Sequence, residues 1–235
     1  MMKKLINISV LLLLLSSFGV SGQGFIEPVT IPWSRECHLT LNDGKQLRGV
    51  IRTSVFVGGS VRSLSVKLED GTVQKYKAED VKRLMIRFGE LAKIETMMES
   101  TISIQELIET DFNEIIEREY IIYEQALLPK KKDKYALLQL LNPGFDNSIK
   151  VFENPSGQES GTMSVGDVTI TGGRKISYLV VKDGEKSMKV KKGKYRKYFP
   201  VLFGDCEELM KLYGGQKVDF FDMATHVLYY DVVCK

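Results

Sequence analysis

Two Asp-Gly pairs, Asp43-Gly44 and Asp70-Gly71, each lie between stretches in which apolar residues alternate with polar ones. Glycine adopts the positive φ of a tight hairpin turn without steric cost, and an alternating stretch buries one face of a strand. Each pair therefore predicts a β-hairpin. A further alternating stretch ends at Phe88, so His38 to Phe88 is expected to hold about five strands, enough for a small, strongly bent barrel.

A second β-rich part begins near Glu119. Residues typical of turns, chiefly Gly, Pro, Asn and Asp, separate its candidate strands. These strands are expected at 119–128, 135–141, 148–153, 165–171, 175–182 and 185–191.

Helices are predicted between the two β-rich parts and at the end of the chain. A capping-box pattern that starts at Ser103 predicts a helix over 104–117, whereas 90–99 has no assignment. Near the C-terminus, Asp205 is the expected N-cap of a helix over 206–213, and Asp222 is the expected N-cap of a second helix.

The predicted fold class is α+β, mainly β. A small N-terminal barrel-like sheet comes first, followed by a second antiparallel sheet and two C-terminal helices. The expected division is a signal peptide over 1–22, a small barrel-like domain over 23–89, and a β-rich domain with the helices over 90–235.

The N-terminus has the three parts of a secretory signal. Lys3 and Lys4 provide the positive charge, an apolar run extends from Leu5 to Leu15, and small residues lead to a cleavage site near Gly22. The run is too short for a membrane-spanning helix, which needs about 20 apolar residues. Export to the periplasm, cell surface or medium is therefore expected, and an integral membrane protein is not.

Loss of the signal would leave a nearly neutral chain. Of the 33 basic residues, Lys3 and Lys4 lie in the signal, so 31 remain against 30 acidic residues. Net charge by itself therefore predicts no polyanionic partner.

The spacing from Leu39 to Ile51, with Asp43-Gly44 at its centre, resembles the opening of an Sm-like or SH3-like small barrel. The chain also resembles exported bacterial β-rich proteins that have no assigned function. The corresponding pieces are the segments from Tyr120 to Glu124 and from Ser177 to Val190, and the pair Cys206 and Cys234. This resemblance implies a fold and a location, but no activity.

The loop after Phe56 does not match the nucleotide-reading positions of Sm-like proteins, because Val57-Gly58-Gly59 follows it. An exported protein would also be separated from cytoplasmic RNA. No nucleic-acid partner is expected.

Neither histidine indicates catalysis. His226 follows Asp222 by four residues, which predicts a surface ion pair on the last helix, and no nucleophile motif accompanies it. His38 neighbours Cys37, but adjacent strand residues point to opposite faces. We predict no catalytic residue, no metal site and no cofactor.

A basic segment over 182–197 suggests a weak polyanion site, since clustered cations on one surface attract acidic groups. The alternative is a solvated surface that offsets the acidic residues elsewhere. The candidate residues are Lys189, Lys191, Lys192, Lys194, Arg196 and Lys197.

The chain has three cysteines, Cys37, Cys206 and Cys234. Two antiparallel C-terminal helices would bring Cys206 and Cys234 together, so a disulfide between them is predicted, with Cys37 free. The competing interpretation is three buried thiols.

Together, these sequence features predict a non-catalytic structural or partner-binding protein of the cell envelope or surface. Its partner could be an envelope protein, an acidic glycan or a lipid head group. The alternatives are an exported hydrolase without a recognisable motif and a weak polyanion- or glycan-binding module.

Overall fold

The computed structural model describes residues 24–26, 28–29, 35–57, 60–100, 112–129, 134–154, 157, 162–165, 168–171, 176–213, 215 and 217–235. The predicted signal peptide over 1–22 and the predicted capping box at Ser103 lie outside these residues.

The first part of the chain forms the five predicted strands. They are β1 (Glu36–Leu41), β2 (Gln46–Val57), β3 (Ser60–Leu68), β4 (Val73–Lys77) and β5 (Val81–Arg87). Both Asp-Gly hairpins are confirmed: Gly44 and Gly71 have φ of +88° and +85°, in the region that glycine tolerates best.

Among the described residues of the next stretch are two helices and two strands. They are α1 (Glu90–Ser100), α2 (Phe112–Glu117), β6 (Tyr120–Leu127) and β7 (Tyr135–Gln139). Helix α1 covers the stretch for which the sequence indicated no structure. Of the helix predicted over 104–117, the structure describes only 112–117, and this part is helical.

Six of these strands close into a barrel in the order β2-β1-β5-β6-β7-β3, with β3 pairing back onto β2. Val61 of β3 faces Leu137 of β7 where the ring closes, and β4 lies outside it as a neighbour of β3. Four barrel strands precede residue 90 and two follow it, so the division expected at that position runs through the barrel.

The barrel brings β2 and β3 very close together at Gly49. A Cβ atom there would lie 2.3 Å from the carbonyl oxygen of Lys67, so a larger residue would force the strands apart. Glycine at this position allows the tight curvature of a six-stranded ring.

The second sheet is antiparallel in the order β12-β11-β8. Its strands are β8 (Ile149–Phe152), β11 (Ser177–Lys182) and β12 (Met188–Lys191). The strand expected over 165–171 is instead part of a separate hairpin, β9 (Thr162–Val165) and β10 (Val168–Thr171).

Three helices complete the chain: α3 (Tyr195–Phe203), α4 (Glu207–Tyr213) and α5 (Met223–Val233). The two predicted C-terminal helices are α4 and α5, and α3 was not predicted. A 3-10 turn over Lys192–Lys194 connects β12 to α3.

The apolar side chains form three clusters. One fills the barrel, and a second lies between the barrel strands β6 and β7 and one face of the second sheet. The third packs the opposite face of that sheet against α3, α4 and α5. The second sheet is therefore a middle layer, with the barrel on one side and the helices on the other.

Candidate anion-binding surface

The predicted anion-binding residues lie on three consecutive elements. The chain runs from β12 through the 3-10 turn into α3. The distribution is Lys189 and Lys191 on β12, Lys192 and Lys194 in the 3-10 turn, and Arg196 and Lys197 on α3.

Five of these six side chains are exposed, whereas Lys189 is half-buried. We call the exposed set the basic face; its members are Lys191, Lys192, Lys194, Arg196 and Lys197. Five cations within seven residues create a strongly positive local surface, although the chain without the predicted signal is nearly neutral.

In the part of the chain that the structure describes, most of the basic face has no ion-pair partner. Among the described residues, no carboxylate lies within ion-pair distance of Lys191, Lys194, Arg196 or Lys197. The ammonium group of Lys192 lies 4.7 Å from the ring centre of Phe221, a cation–π distance. These four side chains are solvated, as both the polyanion site and its alternative, a solvated surface that offsets acidic residues elsewhere, require.

The basic face is held by a well-packed helix. The inner side of α3 consists of Tyr195, Phe199, Leu202 and Phe203, all buried at helical spacing. Because these residues fix the orientation of α3, the remaining positions, including Arg196 and Lys197, must point to solvent.

Beneath the basic face lies a buried polar pair that the sequence did not indicate. The hydroxyl of Tyr195 is 2.8 Å from Nδ1 of His226, and the two side chains are each 1% exposed. The prediction of a surface ion pair between Asp222 and His226 is wrong: Asp222 is exposed, while His226 points into the core.

Aromatic rings surround His226. Its ring centre lies 4.6 Å from that of Tyr213 and 5.2 Å from that of Phe199, both in edge-to-face arrangements. Burial lowers the pKa of His226 to about 4 and raises the pKa of Tyr195, so both groups are neutral at pH 7. The pair can hold α3 against α5, but solvent and solutes do not reach it.

Packing also explains the position of the other histidine, His38. Cys37 is fully buried in the barrel, and His38 points outward, with its ring centre 5.6 Å from that of Tyr120. The two side chains therefore lie on opposite faces of β1, as the strand alternation predicts.

Cys206 and Cys234 form the predicted disulfide, with their Cα atoms 5.6 Å apart, and Cys37 is a free, buried cysteine. The bond joins the start of α4 to the end of α5. Glu208 lies near both sulfur atoms, and these are the residues that could otherwise share a metal ion. Because a disulfide sulfur is not a thiolate, this group is not a metal site in the oxidised protein.

The prediction that Asp205 caps α4 is wrong. Its carboxylate instead accepts hydrogen bonds from Lys182, at 2.7 Å, and from the hydroxyl of Tyr230, at 2.6 Å. These contacts hold the pKa of Asp205 at about 2. At the start of α4, the N–H of Leu209 donates to Sγ of Cys206 instead, at 3.4 Å.

None of the helices in the described ranges has both the length and the apolar character needed to cross a membrane. Comparisons with protein-family models, with curated proteins and with solved structures each find no match to this chain.

Proposed function

We propose that this chain is an exported, non-catalytic binding protein of the cell envelope or surface, and that its basic face holds an acidic partner. The observation that carries the proposal is the set of four exposed cations, Lys191, Lys194, Arg196 and Lys197, without an ion-pair partner among the described residues. Close like charges repel one another, and an anionic partner would relieve that repulsion.

Two features support the exported location. The N-terminus has the charged, apolar and small-residue parts of a secretory signal. The disulfide between Cys206 and Cys234 is of a kind that persists in oxidising compartments and is rare in a reducing cytosol. N-terminal sequencing of protein recovered from the envelope or medium should begin near Gly22 or Gln23, and recovery of intact Met1 would contradict export.

The burial of the Tyr195–His226 pair excludes His226 as the general base of a hydrolase. A general base must reach the substrate within hydrogen-bond distance, directly or through one water. At 1% exposure, His226 offers no such access.

The basic face can be tested by charge reversal with heparin as the probe. The variant Lys191→Glu/Lys194→Glu/Lys197→Glu changes the face itself. Glutamates beside the N-terminus of α3 suit the helix dipole, so this variant should fold. It should elute from heparin at much lower salt than the parent, because three charges that attract heparin become charges that repel it. Distant charges cannot compensate, since exposed charges act over only about 10 Å at 0.1 M salt.

The control variant is Lys45→Glu/Arg48→Glu/Lys82→Glu, which makes the same change in net charge at exposed barrel positions. It should retain most of the parent's affinity. Equal losses in the two variants would mean that heparin responds to net charge alone, and the proposal would be wrong.

A further inference from the structure

The barrel has a second cationic surface, which no sequence pattern indicated. A concavity of about 480 Å³ opens beside β3, β4 and the start of β7. The concavity is shallow and largely open to solvent. The charged and aromatic side chains that line it are Arg62, Lys75, Lys77, Glu79, Lys134 and Tyr135.

The charges in this cleft are unbalanced. Lys77 pairs with Glu79 at 3.1 Å, which neutralises one cation. Lys75 and Lys134 are exposed, and no described carboxylate pairs with either of them. Three positive charges therefore remain around the cleft.

Arg62 has a fixed position in the cleft. Its Nη1 donates a hydrogen bond to the carbonyl oxygen of Tyr135 at 2.6 Å, which leaves other guanidinium N–H groups for a ligand. Lys75 and Lys77 are two residues apart on β4 and so point to the same face, held by pairing with Ser65 and Ser63 of β3. Several acidic groups could therefore be bound without rearrangement of the strands.

A path of backbone contacts connects the cleft to the basic face. Tyr135 pairs with Leu127 in the β6–β7 register, and the carbonyl of Leu127 accepts the N–H of Ser187 at 3.2 Å. Ser187 immediately precedes β12, which spans roughly 10 Å at about 3.3 Å per residue and ends at Lys191 of the basic face. The exposed Lys186 directly precedes Ser187 in the chain.

We infer that the cleft and the basic face are two subsites for one extended ligand, an acidic polysaccharide. This inference rests on the proposed function, because it names the ligand class of the basic face. Arg62, Lys75 and Lys134 would bind its acidic groups, and the ring of Tyr135, 39% exposed, offers an apolar surface to a sugar ring. A ligand must be extended to reach both subsites, which favours a polymer over a single lipid head group.

The test measures the affinity of the mature chain for a short and a long heparin oligosaccharide. The cleft variant is Lys75→Ala/Lys134→Ala, and the face variant is Lys194→Ala/Lys197→Ala. The control is Lys45→Ala/Arg48→Ala, which removes the same charge elsewhere on the barrel. Each of the two subsite variants should lose about fivefold to tenfold in affinity for the long oligosaccharide, the size expected from two exposed ionic contacts.

The short oligosaccharide cannot bridge the subsites, so the parent should bind it much more weakly than the long one. If the cleft variant behaves like the control while the face variant loses affinity, the cleft inference is wrong and the proposed function stands. If only the cleft variant loses affinity, the basic face is not the binding surface and the proposed function is wrong. Binding to vesicles that contain phosphatidylglycerol, without binding to either oligosaccharide, would overturn the polysaccharide assignment.

Discussion

The hydroxyl of Tyr195 lies 2.8 Å from Nδ1 of His226, and this contact joins the first residue of α3 to the middle of α5. Lys194 and Arg196, two members of the basic face, flank Tyr195 in the chain. The position of the face therefore depends on a neutral, buried pair, and protonation of His226 should loosen the helices that support it.

The first prediction concerns pH. Burial lowers the pKa of His226 from its ordinary value of 6.5 to about 4. Its contribution to stability should be fully present above pH 6.5 and should be lost as the pH falls toward 4, because the unfolded chain binds the proton first. We expect the free energy of unfolding, measured with urea, to fall by about 2–3 kcal/mol from pH 7 to pH 4.5 through this group.

Asp205 has little effect on this measurement. Its pKa of about 2 means that its contribution to stability is lost below the range from pH 7 to pH 4.5. The variant His226→Gln should show a flatter pH dependence than the parent. The control His38→Gln changes a half-exposed histidine and should keep the parent's slope. The same slope in His226→Gln and the parent would contradict the assigned role.

The position of His226 illustrates where sequence patterns were informative and where they were not. Asp-Gly turns are local, so Gly44 and Gly71 could be recognised from their neighbours. The Asp222–His226 spacing suggested a surface pair, although α5 is apolar on several sides, a sign of a buried helix. Helix α3 has apolar residues at helical spacing, although Pro200 lies in its interior, where proline is unfavourable.

Barrel closure could not be predicted from local patterns. Arg83 of β5 pairs with Glu124 of β6, and the two residues are separated in sequence by α1, α2 and the residues between them. The register of such a distant pair depends on the packing of the whole sheet. The cleft was missed for the same reason, since Lys75 and Lys134 come together only when β7 reaches β3.

The second prediction concerns the disulfide. Cys206 and Cys234 are 28 residues apart, and closing a loop of this length should stabilise the protein by about 3–4 kcal/mol in the chain-entropy model. Reductant should lower the free energy of unfolding of the parent by this amount. The variant Cys206→Ala/Cys234→Ala should not respond to reductant.

Peptide mapping without reduction should find Cys206 linked to Cys234. Cys37 should react with an alkylating reagent only after unfolding, because it is buried and its pKa is raised to about 12. A link from Cys37 to either of the others, or rapid alkylation of Cys37 in the folded protein, would contradict the structure.

The third prediction concerns an ionic cluster between the barrel and the second sheet. Glu124 is 7% exposed and accepts a hydrogen bond from Nε of Arg83 at 2.6 Å and another from Lys150 of β8. Asp146 lies 3.3 Å from the ammonium group of Lys150. Glu124→Gln should destabilise the protein by about 1–3 kcal/mol, because it leaves two partly buried cations with weaker partners.

The matched control is Glu36→Gln on the same barrel. Glu36 pairs with Arg87 at 3.3 Å, and both side chains are 67% exposed. This change should cost less than about 1 kcal/mol, as is usual for exposed pairs. Urea unfolding measures the loss in free energy of unfolding for each variant. Equal losses would mean that the cluster does not stabilise the contact between the barrel and the second sheet.

The central claim is that an acidic ligand covers the basic face. Lysine acetylation, followed by mass spectrometry, measures the coverage of each side chain with and without a long heparin oligosaccharide. The account predicts that Lys191, Lys194 and Lys197 react several times more slowly with the ligand present, while Lys45 and Lys211 react at unchanged rates. Equal slowing at all five lysines, or no slowing at the basic face, would contradict it.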